Sequence, residues 1–270
     1  MATTRERAIA TYEEVLCVPF SSLGSPLEEA GLLDYVFGEV WNRPGLTRRE
    51  RRLITFTCVG AADSTSAMHE HIYGALKSGD LQVDELYEAV LHFAVYCGWP
   101  KASVLNGIVA EEWARCCEEE GRAVAPPADP IWRPDLSYEE RVRGGEECFS
   151  WINVVPAPPG DTPYTGAGIL PFVFGELWQR PGLSVRDRRF LTIPAVGVSD
   201  AEMPIWSHLH SAMKSGDVTI DEVLELVLHF AVYAGWPKAS RLNQVAVDNW
   251  AAIEASGGVR EGQAPEYHRS

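Results

Sequence analysis

Six of the seven histidines in this 270-residue chain fall into a pattern that could move protons. His71 and His208 stand 137 positions apart, and so do His92 and His229. A neutral imidazole near its ordinary pKa takes or gives a proton at physiological pH, the service an enolate or dienolate intermediate needs. A core histidine hydrogen-bonded to a neighbouring helix accounts equally well for His71 or His208, so both readings stand. His92 with Tyr96, and His229 with Tyr233, are four apart and share one helical face. Such a pair can line a pocket as acid and hydrogen-bond donor or lock its helix to a neighbour, and the locking role is preferred. His69 and Tyr73 of the first copy are replaced by Trp206 and His210 in the second. On a helix His69 and His71, two apart, point away from each other, so no metal is expected between them. The added titratable groups, His69 and Glu70 beside His71, make the first copy the one expected to work; Trp206, His208 and His210 make the second pocket aromatic and basic.

Other paired residues read more plainly. Trp41/Trp178, Trp99/Trp236 and Trp113/Trp250 recur in both halves and are expected as core or interface anchors, with Trp99 and Trp236 also placed to cap an aromatic substrate. Arg49, Arg51, Arg186 and Arg188 can hold a carboxylate in bidentate fashion, but tying helices together is the preferred role. Asp63 and Asp200 precede the histidine helices and are read as helix caps. The six cysteines show no C-x-x-C and no metal-like spacing with histidine, so packing thiols in a reduced chain are expected. No Gly-rich nucleotide loop, cofactor-lysine signature or metal set appears; no cofactor and no metal are expected, and any electron sink must lie in the substrate.

These residues are positioned by a duplicated unit. FGEVWNRPGL (37–46) returns as FGELWQRPGL (174–183), and VLHFAVYCGWPKAS (90–103) as VLHFAVYAGWPKAS (227–240). Phe37–Trp113 aligns with Phe174–Trp250 without a gap, identical at 40 of 77 positions. The resulting division is a first helical module over 1–120, a Pro/Ala-rich linker over 121–137, a second module over 138–256 and a loose tail over 257–270. Within each unit Thr47 with Glu50, and more weakly Ser184 with Asp187, opens a helix through a capping box. Gly79 and Gly216 end the histidine helices. A helix over 84–96 is broken at Gly98-Trp99-Pro100, and a last one runs from about Lys101 to Trp113. No alternating strand pattern occurs, so the fold class is all-α. A net charge of −15 argues against a grip on nucleic acid or anionic lipid. No signal-like or membrane-spanning apolar run appears, and a cytoplasmic protein is expected.

The ordered set R-P-G-L-x(2)-R-x-R, H-x(3)-A-x(3)-G and E-x-(V/L)-L-H-x-A-x-Y-x-G-x-P, carried by both halves, resembles the carboxymuconolactone decarboxylase family, which includes alkyl hydroperoxidase D. The resemblance implies two tandem helical modules in pseudo-twofold relation. It also implies a homo-oligomer, a trimer of two-module chains, and a cofactor-independent lyase. Such an enzyme would use His71 or His208 on a small cyclic, lactone-like or enolisable organic acid or ketone, by decarboxylation, isomerisation or lactone opening. His69, Tyr73, His92, Tyr96, Trp99, Trp206, His210, His229, Tyr233 and Trp236 would contribute to the binding walls. The chain departs from the family at two places. Peroxidase members carry C-x-x-C ahead of the histidine, where this chain has Ser64 and Ala67, then Ala201 and Pro204. Ala67 and Pro204 also replace the glutamate that decarboxylase members often place four residues before the histidine. Thiol peroxidase chemistry is therefore disfavoured, and a non-catalytic ligand-binding or assembly protein is the alternative to the enzyme.

Overall fold

A computed structural model describes residues 4–126, 133, 135–199 and 201–260; Asp200, much of the linker and the end of the tail lie outside them. The described residues form helices and no strand. The first half runs α1 (Thr4–Leu16), α2 (Leu27–Val40), α3 (Arg48–Ala61), α4 (Thr65–Ser78), α5 (Val83–Cys97) and α6 (Trp99–Glu119). The second repeats the order as α7 (Tyr138–Asn153), α8 (Tyr164–Phe174), α9 (Val185–Val198), α10 (Glu202–Lys214), α11 (Ile220–Ala234) and α12 (Trp236–Ala255). Helices α2 and α8 are wound as π-helices.

Local signals explain most boundaries. Both capping boxes form: Thr47 accepts from Glu50 N–H and Ser184 from Asp187 N–H, while each acidic side chain reaches back to its cap. Gly79 and Gly216 adopt left-handed φ of 75° and 79°, where a Cβ would be strained. Gly98 and Gly235, both at φ 94°, separate α5 from α6 and α11 from α12. Proline at the first turn then starts the next helix, so α6 begins at Trp99 and continues to Glu119, longer than the 101–113 expected. The extension carries Glu119, which binds Tyr73 of α4, as Glu112 earlier on the same helix binds His69.

The two halves do not bury separate cores. Helices α3 and α9 lie against each other at the centre, α5 packs on α9, and α11 packs on α3. One apolar cluster therefore runs from Leu53, Ile54 and Phe93 through Phe190, Ile193 and Phe230. Polar side chains cross the same boundary. Arg49 meets Asp187 at 2.9 Å and Arg186 meets Glu50 at 2.6 Å, a reciprocal pair related by the internal symmetry. Arg180 grips Glu88 at 2.6 Å. The arginines of the R-P-G-L segment thus tie helices together. Two satellite clusters flank the centre. Val15, Phe37 and Trp41 pack with Tyr233 of the opposite half, and Ile152, Phe174 and Trp178 pack with Tyr96. Each pocket histidine lies beneath one of these satellites.

Candidate active site

Each site is assembled from both halves. On α10, His208 presents its ring to Tyr96 of α5, with ring centroids 5.4 Å apart at 77°. On α4, His71 meets Tyr233 of α11 at 5.4 Å and 79°. The i, i+4 spacing of His92 and Tyr96 puts both rings on one face of α5, and the packing of α5 on α9 turns that face toward the other half.

His92 and His229 serve as locks. His92 Nε2 lies 2.7 Å from Thr192 Oγ1 and its Nδ1 lies 3.4 Å from Arg188, across the boundary between halves. His229 repeats the arrangement with Thr55 at 2.9 Å and Arg51 at 3.4 Å. Since guanidinium can only donate, Nδ1 is the acceptor and Nε2–H the donor to threonine, which makes each ring neutral. Burial, reinforced by the neighbouring arginines, holds both imidazoles well below their ordinary pKa.

The tyrosines are held at the other end of these locks. Trp178 Nε1–H donates to Tyr96 Oη at 3.1 Å, and Trp41 Nε1–H donates to Tyr233 Oη at 2.9 Å. Thr192 and Thr55 also hydrogen-bond these phenols, while burial raises both, Tyr96 to about 12. A phenol oxygen already accepting from tryptophan keeps its own proton to give. The indole rings are in turn backed by Arg189 and Arg52, whose guanidinium carbons stand 5.4 and 5.6 Å from them.

His71 and His208 differ from the locked pair. The Nδ1 of each is buried with no hydrogen-bond partner in the protein. Burial, helped by Arg52 and Arg189 respectively, lowers each to about 3. The expectation of an imidazole near its ordinary pKa is therefore corrected: at pH 7 these rings are neutral and weakly basic. Their use is as neutral hydrogen-bond donors or acceptors, or as the strong acid formed once a proton is taken up.

The surroundings separate the copies. A cavity of about 640 Å³ borders His208, walled by Phe149, Ile169, Val173, Phe174, Trp206 and His210 among others, with Tyr96 at the same end as His208. Trp206 and His210 stack 4.9 Å apart along its rim. His71, by contrast, is 8% exposed, and the ring at the position matching Phe149, Tyr12, is packed between Phe20 and Phe37. The cavity just described lies in the second copy, where Phe149 and Trp206 stand at the places that Tyr12 and His69 hold in the first.

Four other expected site residues sit apart from the histidines. Trp99 and Trp236 are 57% and 59% exposed on the outside, Trp99 beside Phe172 and a shallow surface hollow. Their proline-adjacent position at a helix start turns them outward. His69 points away from His71, as its spacing required, and binds Glu112 at 2.6 Å. Tyr73 donates to Glu119 at 2.9 Å beneath Arg115, tying α4 to α6. Sequence reasoning overlooked Thr55 and Thr192, polar residues repeated in the middle of apolar helices, which was the signal available. It also overlooked the wall contributed by α7 and α8, which precedes the well-matched repeat.

The model of the carboxymuconolactone decarboxylase family matches residues 26–111 and again 163–248. Among characterised proteins, the chain is 38% identical over 82 residues to the nitrosuccinic acid decarboxylase npaB of Metarhizium robertsii, covering 30% of this chain and 54% of that protein. It is 37% identical over 75 residues to the 4-carboxymuconolactone decarboxylase of Acinetobacter baylyi, covering 28% and 55%. The chain thus spans about half the length of the curated relatives it matches. With the family pattern matched in both halves and each pocket histidine set at the boundary between them, the chain belongs to the carboxymuconolactone decarboxylase family, as a tandem two-module member.

Proposed function

We propose that this protein is a cofactor-independent enzyme of the decarboxylase type, working at the cavity beside His208. The observation that carries this reading is that His208, whose buried Nδ1 has no partner in the protein, lines a cavity that Tyr96 also lines. Two neutral groups able to donate hydrogen bonds there suit an oxyanion that develops during reaction. A substrate with a carbonyl one carbon removed from its carboxylate supplies its own electron sink. The bond to the carboxylate breaks, carbon dioxide leaves, and the electron pair passes to the carbonyl oxygen as an enolate held by Tyr96 and His208. A proton then returns to carbon. Both curated relatives are decarboxylases by name; isomerisation would form an enolate by loss of a proton, and lactone opening a tetrahedral oxyanion, each with its negative oxygen held in the same place. His71, enclosed by Trp41, Tyr233 and Arg52, serves as the structural twin.

The test is release of carbon dioxide from a panel of β-keto acids and lactone acids by the full chain and its variants. His208→Ala is expected to lower kcat/KM about 100-fold or more, as loss of a proton-transfer or oxyanion group does. His71→Ala is expected to lower it less than about fivefold once folding is matched by circular dichroism. Equal inactivity of wild type and His208→Ala across the panel would leave a non-catalytic ligand-binding protein as the better account.

A further inference from the structure

The walls of the His208 cavity bear on the kind of substrate it accepts. Both relatives take their names from small carboxylic acids, and a polyacid of that sort needs cations or several N–H donors to replace its water. Among the described residues lining this cavity there is no arginine, lysine, aspartate or glutamate. Arg241, beside Met203 and Trp206 in the adjoining hollow, is paired with Glu202 at 2.7 Å, and the arginine that acts on His208 is committed elsewhere. Arg189 binds Asp217 at 3.1 Å, Ser211 at 3.0 Å and the carbonyl of Ile152 at 2.5 Å, and is fully buried behind Trp178. Arg188 is spent on the carbonyl of Arg180 and on His92.

What the cavity offers is apolar area. Phe149, Ile169, Val173 and Phe174 form its floor, and Met203 and Trp206, 71% and 46% exposed, stand at its mouth. A volume of about 640 Å³ exceeds what a small acid fills and suits a body of one or two rings or a branched chain. The corresponding first-half positions of Met203 and Trp206 are Ser66 and His69, so this apolar mouth belongs to the second copy alone.

We infer that the His208 cavity takes a mid-sized, largely apolar carbonyl compound with at most one carboxylate, the one that reacts, and discriminates against small polyacids. This rests on the proposed reaction for the identity of the reacting end, while the apolar preference is a binding property that can be measured without turnover.

The experiment uses the full chain, with benzoylacetone as the apolar enolisable probe and tricarballylate as the small polyacid. Binding is followed by tryptophan fluorescence and calorimetry. Benzoylacetone is expected to bind at least about 30-fold more tightly than tricarballylate. Trp206→Ala is expected to weaken benzoylacetone about tenfold. Met203→Arg, at an exposed position that leaves the core intact, is expected to narrow the gap by favouring the polyacid. Equal or tighter binding of tricarballylate, or no binding of benzoylacetone by folded protein, overturns the inference. In parallel, benzoylacetate, which loses carbon dioxide to give acetophenone, is compared with oxaloacetate, which gives pyruvate. His208-dependent turnover of oxaloacetate in preference to benzoylacetate overturns the substrate class while the reaction stands. Tight benzoylacetone binding with no His208-dependent turnover of benzoylacetate overturns the reaction and supports the apolar site.

Discussion

At the scale of single residues, the same side chain does different work according to what saturates it. His92 and His229 have both ring nitrogens occupied and act as locks, whereas His71 and His208 keep a buried Nδ1 without a partner. Replacing Thr192 by valine keeps shape but strips the acceptor from His92. A buried imidazole donor left unpaired costs about 1–3 kcal/mol, so Thr192→Val and Thr55→Val should each lower the midpoint of thermal unfolding by several degrees. Thr192→Val should also slow turnover more than Thr55→Val does, because only Thr192 backs the tyrosine that lines the cavity. A second consequence concerns pH. With His208 lowered to about 3, the profile of kcat/KM should show no ionisation near 6.5, and an inflection there would mean that the ring is solvated or that another base acts.

At the scale of elements, α7 and α8 decide where the cavity is. Helix α8 passes so close to α7 that a Cβ on Gly145 would run into the carbonyl of Leu170 and the backbone of Gly175. Backbone on both sides leaves no flexible side chain to yield. Gly145→Ala should therefore destabilise the protein by about 1–3 kcal/mol and weaken ligand binding at the cavity, since α8 carries Ile169 and Val173 into its wall. Denaturant unfolding and benzoylacetone affinity check the two effects; an unchanged midpoint would show that α7 and α8 can separate. The first half uses the same device at another place: Gly74 of α4 lies against the carbonyl of Val15, and its counterpart Ser211 instead binds Arg189.

At the scale of the whole molecule, the shared core places four histidines in surroundings that keep them neutral. His71, His92, His208 and His229 all have folded pKa values lowered by burial. In the unfolded chain these groups titrate near about 6.5. Below that pH the unfolded chain binds protons that the native one refuses, so their contribution is intact above pH 6.5 and is lost as pH falls toward the folded values. Each can steepen the loss by up to about 1.4 kcal/mol per pH unit. Unfolding free energy measured between pH 7.5 and 5 should decline accordingly, and His71→Gln should flatten the slope by about one proton. A stability that does not change over this range would mean that the rings are hydrated in the native state. No helix among the described residues is long and apolar enough to cross a membrane.

The duplication, the all-helical class, the capping boxes and the glycine stops were legible in the sequence because each depends on spacing or on local backbone geometry. The i, i+4 relation of His92 to Tyr96 was legible for the same reason, and so was the divergence of His69 from His71. Which half supplies the tyrosine to each histidine was not, since that follows from α5 crossing onto α9 and α11 onto α3. The depressed pKa of His71 and His208 was equally hidden, because desolvation depends on everything packed around a ring. The open cavity beside His208 was decided last of all, by α7 and α8 closing over the second copy with apolar side chains, and only packing in three dimensions determines whether such side chains fill a space or line one.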